Sequence, residues 1–341
     1  MEDREVMPES PQRFHPSRRF VLLSLLVLIV LAFSLFVGRY PKPFFMPPSY
    51  LWKDELAGRL VTILRLPRIL MAFTLGMSLG AAGTVLQMIF RNPLVSPGFL
   101  GVSQGAAFGA AFAIIFLNNS PLTVEASAAL FAVLGLVASY ILARRMHYGD
   151  WTLRLILAGI AISALLSSGV GVLKYLADPL KELPEIVFWL LGGLWAVTWP
   201  DFLYALPLVL PCIIVMILMR WRLNLLALPD ETAFSLGAAP ARERTIVLAA
   251  ATIATAVVIA ISGVVGWVGL IVPHLARRLV GADAQRVLPA SMLIGGIFAL
   301  LCDNLARTLR AGEIPLGIVT SLAGALVFIG MFVTRGIGSE R

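Results

Sequence analysis

The chain has 341 residues, 59% hydrophobic and only 13% charged, with a mean hydropathy of +0.90. A soluble domain carries about 25% charged residues, so the composition excludes one; apolar runs of 18 residues or more recur, each able to cross a hydrocarbon core of about 30 Å. The net charge of +8, from 27 Lys+Arg against 19 Asp+Glu, is spread over loops rather than gathered in a basic arm, so no nucleic-acid partner is expected. An outer-membrane barrel would instead show segments of about ten residues with alternating polarity, and the runs here are longer and uniformly apolar.

Residues 1–19 are polar, end in Arg18-Arg19 and read as a cytoplasmic tail. The run FVLLSLLVLIVLAFSLFVG (20–38) lacks a small-x-small cleavage site and exceeds a signal-peptide core, so it reads as a retained first span. Nine further spans fit the pattern, at 69–90, 98–117, 124–143, 153–174, 201–219, 245–262, 264–279, 287–306 and 314–334. Gly and Pro interrupt the third and the eighth. The fold class is thus all-α, with residues 20–335 forming one ten-helix transmembrane domain. With both termini inside, seventeen Lys and Arg fall on the inner side and ten on the outer. That bias favours cytoplasmic termini. The outer excess gathers before span two and after span nine.

In chain order, the first polar interruption to stand out is RNPLVSPG (91–98). Its two prolines and asparagine end a helix in a sharp turn, in which Asn92 is expected to cap the following segment; Asn92 and Pro93 are candidates for an inner gate. The stretches GMSLG (76–80), GVSQG (101–105) and GAAFG (105–109) space small residues four apart, as closely packed helices require. Between spans six and seven lies LALPDETAFSLGAAP (226–240). Pro229 suits a first helical turn, Asp230 and Glu231 complement its positive end, and Gly237 suits a left-handed cap. Pro240 then reads as the start of a second stubby helix, and Thr232 and Leu236 share a face at i, i+4.

Polar residues within the spans are few. Gln87, Gln104, His274, Asp303 and Asn304 are expected to face the protein interior, with a structural hydrogen bond for His274 and a local ion pair between Asp303 and Arg307. Cys212 and Cys302 fall inside apolar runs and read as packing residues. No His, Cys or acid constellation suits bare iron, so no metal site is expected. Lys42, Lys53, Lys174 and Lys181 follow Pro, Trp, Leu and Leu, so the chain has no P-loop Gly-Lys-Ser/Thr and is not itself an ATPase.

Three segments resemble one family in order and spacing: LRLPRILMAFTLGMSLGAAGTVLQMIFRNPLVSPGFLGVSQGAAFGA (64–110), ISGVVGWVGLIVPHLARRLVGAD (261–283) and EIPLGIVTSLAGALVFI (313–329). Together they are similar to the permeases of type II ABC importers for iron-siderophores, heme and cobalamin, over about residues 20–335. The resemblance implies a homodimer in the bacterial or archaeal (inner) membrane, two ATPase subunits that bind the ATP and Mg, and an extracytoplasmic binding protein. It implies no cofactor on this chain. It makes the loop of about 226–242 a coupling element, with Pro229, Asp230, Glu231, Thr232, Ala233, Leu236 and Gly237 facing the ATPase. It also makes Arg65, Arg68, Arg307 and Arg310 docking residues for the binding protein, with headgroup anchoring as the alternative. The implied cargo is a metal chelate, foremost a ferric siderophore, with heme, cobalamin and molybdate also open. An ion-coupled secondary transporter would need an acid such as Asp303 as its ion site.

Overall fold

The computed structural model describes residues 16–41, 44–310 and 312–336. Its main helices are α1 Pro16–Phe36, α2 Leu66–Ile89, α3 Val102–Phe116, α4 Pro121–Arg145, α5 Trp151–Leu176, α6 Trp199–Leu218, α7 Pro240–Ser262, α8 Val268–Val280, α9 Ala284–Thr308 and α10 Leu316–Gly336. Each falls on one expected span. Residues 1–15 of the expected tail lie outside the described residues, and from Pro16 the chain is helical, four residues ahead of the expected start.

Seven of these helices (α1, α2, α4, α5, α6, α7 and α9) are long and apolar enough to cross a membrane. α8 is not. At 1.5 Å per residue its 13 residues extend about 20 Å. The span expected from residue 264 starts only at Val268 because Gly263 (φ +66) and Trp267 (φ +70) hold left-handed conformations that interrupt the helix. α3, at 15 residues, is also short.

α2 has a forerunner. A helix at Glu55–Arg59 continues through a π-helical turn at Leu60–Arg65 directly into α2, and the Leu66 N–H bonds the Val61 carbonyl five residues back. Pro67 has no N–H to give and would crowd the preceding turn of a regular helix; the wider turn relieves both problems. Between α5 and α6 the chain forms one more helix, Glu182–Leu191, too short to register as a span.

The core is built around α2, α7 and α9. Of their apolar windows 83%, 72% and 72% are buried, against 22% for α5 and 28% for α6, so the first three are enclosed by protein and the last two are peripheral. Small residues make the enclosure possible. A Cβ at Gly76 would stand 2.0 Å from the Gly295 carbonyl oxygen, so α2 and α9 touch backbone to backbone. Thr84 and Ser291 hydroxyls, 2.8 Å apart, fasten the same pair. GAAFG brings α3 against α4 in the same way, with the Ser127 hydroxyl donating to the Gly109 carbonyl at 2.7 Å.

Candidate functional site

α7 runs from Pro240 to Ser262, about 34 Å, and so defines two ends of the bundle. At its first end stands a knob. A seven-residue helix, Arg220–Leu226, leads out of α6, and a six-residue helix, Asp230–Ser235, caps the loop. Pro229 is the residue before that helix, and Asp230 and Glu231 occupy its first turn. Gly237 closes it at φ +80, with the Gly237 N–H on the Phe234 carbonyl and the Ala238 N–H on the Ala233 carbonyl. Space around Gly237 is open, so conformation alone demands glycine there. The second stubby helix does not form: Pro240 opens α7 itself, because the apolar sequence after it continues without a stop.

Pro229, Asp230, Glu231, Thr232, Leu236 and Gly237 are exposed. Ala233 is fully buried and belongs to the packing of the loop, not to its surface. Phe234, absent from the expected face, is displayed further than Leu236, at 74% against 56% exposure. The aromatic in DETAFS was the signal, an apolar ring inside a charged loop.

The knob is held by arginines. The Arg244 guanidinium on α7 lies 2.7 Å from Asp230 Oδ1 and donates to the Leu226 carbonyl at 3.0 Å. Arg91, in the turn after α2, donates to the Leu228 carbonyl and stands 3.8 Å from the same Asp230 oxygen. Arg222 donates to the Gly237 carbonyl at 3.1 Å. In that turn Arg91 has φ +48, and the half-buried Asn92 accepts the Leu94 N–H at 2.9 Å. Asn92 therefore caps its own turn, and Ser96 precedes the next short helix, Pro97–Leu100. Pro93 is exposed. His274 Nδ1 sits 3.0 Å from the Leu270 carbonyl, a structural bond of the expected kind.

At the opposite end, three of the four expected docking arginines are turned inward. Arg68 holds Asp303 at 2.9 Å and Glu313 at 3.0 Å. Arg65 donates to the Leu35 and Tyr40 carbonyls at 2.9 and 3.2 Å. Arg307 donates to the Ser34 carbonyl at 2.5 Å and to the Asn304 side chain. Ser34 and Leu35 are among the last residues of α1, whose carbonyls have no helical partner and attract cations. Each of the three arginines is less than 10% exposed. Where the docking expectation had Arg65, Arg68 and Arg307 displayed, the structure engages their guanidiniums within the chain, between the end of α1, the start of α2 and the end of α9. Arg310 alone of the four is exposed. Asp303 is 3.8 Å from Arg307, so its nearer partner is Arg68, not the local one expected.

Beside this cluster opens a cavity of about 690 Å³ between the short helix Glu182–Leu191, the start of α4 and the end of α7. Glu125, Glu185, Asp201 and Glu313 line it with Trp189 and Trp195, and among the described residues no Lys, Arg or His does.

A bundle with seven helices long and apolar enough to cross a membrane has the build of a multi-pass membrane protein. The chain belongs to the FecCD transport family, whose match spans residues 25–334. It is 40% identical to the molybdate import system permease MolB of Haemophilus influenzae, over 90% of this chain and 92% of that one. It is 38% identical to a protein of Helicobacter pylori described as a probable iron chelatin transport system permease, over 95% and 99%. A solved ABC transporter assigned to the metal-chelate type, in an inward-facing conformation, superposes with a TM-score of 0.85 at 39% identity, covering 94% of this chain and all of that one.

Proposed function

We propose that this chain is the membrane subunit of an ATP-driven importer, acting as a pair of copies with two P-loop ATPase subunits and an extracytoplasmic binding protein. The observation that carries this reading is the knob. Phe234 and Leu236 expose apolar side chains on a braced helix where a polar loop tip would otherwise stand, and such anchors mark a protein contact. The ATPase takes the face of Glu231, Thr232, Phe234, Leu236 and Gly237. Hydrolysis belongs to that partner, and both termini lie on its side of the membrane. At the far end Arg310 is the arginine free to meet carboxylates of a binding protein. Exposed apolar stripes support pairing of copies: Leu322, Leu326, Ile329 and Val333 on α10, and Leu157, Ile160 and Leu165 on α5.

The cargo is a metal chelate that crosses intact, foremost a ferric siderophore of neutral or positive charge. The cavity supports that choice over an oxyanion such as molybdate, since its lining carries acids and, among the described residues, no cation, and Arg68, the cation nearest Glu313, is shared with Asp303. An ion-coupled transporter is disfavoured by Asp303, which is fully buried against Arg68.

The test is purification of the tagged chain from its native membrane in mild detergent, beside Leu236→Arg. An equimolar P-loop ATPase held by the parent and lost from the variant supports the reading; its absence from the parent defeats it. Uptake of radioiron as a cationic hydroxamate chelate, against radiolabelled molybdate, then decides the cargo class.

A further inference from the structure

The strongest unexplained arrangement is a single carboxylate oxygen facing two helices at once. Asp230 Oδ1 lies 2.7 Å from Arg244 of α7 and 3.8 Å from Arg91, two residues past the end of α2. The two arginines differ in kind. Arg244 is 4% exposed in its side chain, its Nε has no hydrogen-bond partner, and its guanidinium stacks 5.7 Å over the Trp151 ring at the start of α5. Trp151 in turn stacks on Phe90, 6.1 Å away, the residue before Arg91. Each arginine also holds a carbonyl of the segment that leads into the knob, Leu226 for Arg244 and Leu228 for Arg91.

We infer that Asp230 is the joint through which movement of the knob is delivered to α2 and α7, a positioning residue rather than a contact for the ATPase. The inference rests on the proposed docking of an ATPase at this knob. The apolar tip, Phe234 and Leu236, lies beyond the joint and is left to grip the partner, while the Asp230 side chain, itself 60% exposed, reaches the two arginines from the surface. α2 and α7 are two of the three enclosed helices of the core. A push at the knob therefore enters the middle of the bundle rather than its peripheral helices. Removing the charge of Asp230 leaves Arg244 a buried cation without its anion, and the knob then moves on its carbonyl tethers alone.

The test uses the complex copurified from native membranes. A spin label at Ile63→Cys, an exposed site on the helical extension of α2 at the far end, reports the distance between the two copies with and without ATP and vanadate. The parent shows a nucleotide-dependent shift. In Asp230→Asn the ATPase still copurifies and still hydrolyses ATP, while the shifted population falls about threefold, as expected for the loss of one ion pair whose carboxylate is exposed. Asp230→Glu restores most of the shift, which a general loss of folding would not allow. A shift retained in Asp230→Asn, or absent from the parent, overturns the joint. Loss of the ATPase from Asp230→Asn overturns it too, by making Asp230 a contact, whereas loss of Leu236→Arg alone supports the division between tip and joint. A parent chain that brings no ATPase sinks the importer reading itself.

Discussion

Arg68 and Asp303, 235 residues apart in sequence, meet at 2.9 Å in the packed end of the bundle, with Asp303 fully buried. Glu313 adds a second carboxylate to the same guanidinium from a partly exposed position. Removing one partner of a buried pair leaves the other uncompensated, at a cost of about 3–5 kcal/mol. Arg68→Ala and Asp303→Asn should each lower thermal stability in detergent accordingly. Glu313→Gln should cost about 1 kcal/mol or less, because solvent screens that bond. Equal losses from all three variants would contradict the ranking.

Gly76→Ala tests the backbone contact of α2 with α9. The added methyl meets a carbonyl oxygen at 2.0 Å, which no rotamer can avoid. Overpacking of this kind costs about 1–3 kcal/mol. A gel-filtration profile and melting temperature indistinguishable from the parent would mean the two helices have room to separate. Gly312→Ala, at a position with open space around it, is the matched control.

Phe234→Ala should weaken association with the ATPase by about 2 kcal/mol or more, roughly thirtyfold, without changing the melting temperature of the isolated chain. The residue is 74% exposed. Pull-down titration against the purified partner measures the first effect and differential scanning fluorimetry the second.

At the start of α9, Asp283 accepts from Asn224 Nδ2 at 2.8 Å and from the Gln285 N–H at 3.0 Å. The Asn224 bond, foremost, holds its carboxyl below the ordinary value of 3.8, with the Gln285 N–H, Arg286 and Arg220 assisting against partial desolvation. A depressed folded-state pKa gives stability that is complete above the unfolded value and is lost as pH falls through the folded one. The melting temperature of the parent should therefore drop below about pH 4, and Asp283→Asn should flatten that part of the curve. A parallel acid limb in both proteins would assign the loss to other carboxylates.

Seven of the helices were legible because each rests on a long apolar run, a signal that needs no knowledge of neighbours. The glycine spacing of GMSLG likewise announced close packing, and the structure supplies its partner, Gly295. What stayed hidden depends on distant contacts. Nothing near Arg65 or Arg307 in sequence shows that the carbonyl end of α1 will need them, so both looked like displayed cations. The same burial accounts for part of the outer excess: Arg65, Arg68 and Arg307, three of the ten cations assigned to the outer side, are folded into protein. Pro240 misled for a different reason: a helix-starting proline does not say how long its helix will be. Trp267 at φ +70 is equally silent, since only the fold can impose that conformation on a tryptophan.

α7 begins at the knob and ends in the cavity wall, where Ser262 and Gly263 stand among the lining residues. It is also enclosed along most of its length. This continuity limits how the protein can be recombined. Grafting the inner loop of a relative onto this chain would import a foreign handle while keeping the native shaft, and Asp230 would meet an arginine it was not fitted to. The exchangeable module is the loop together with α7, and with it part of the cavity wall at the opposite end. On the proposed function, specificity for the motor and specificity for the load would be inherited on one piece of chain.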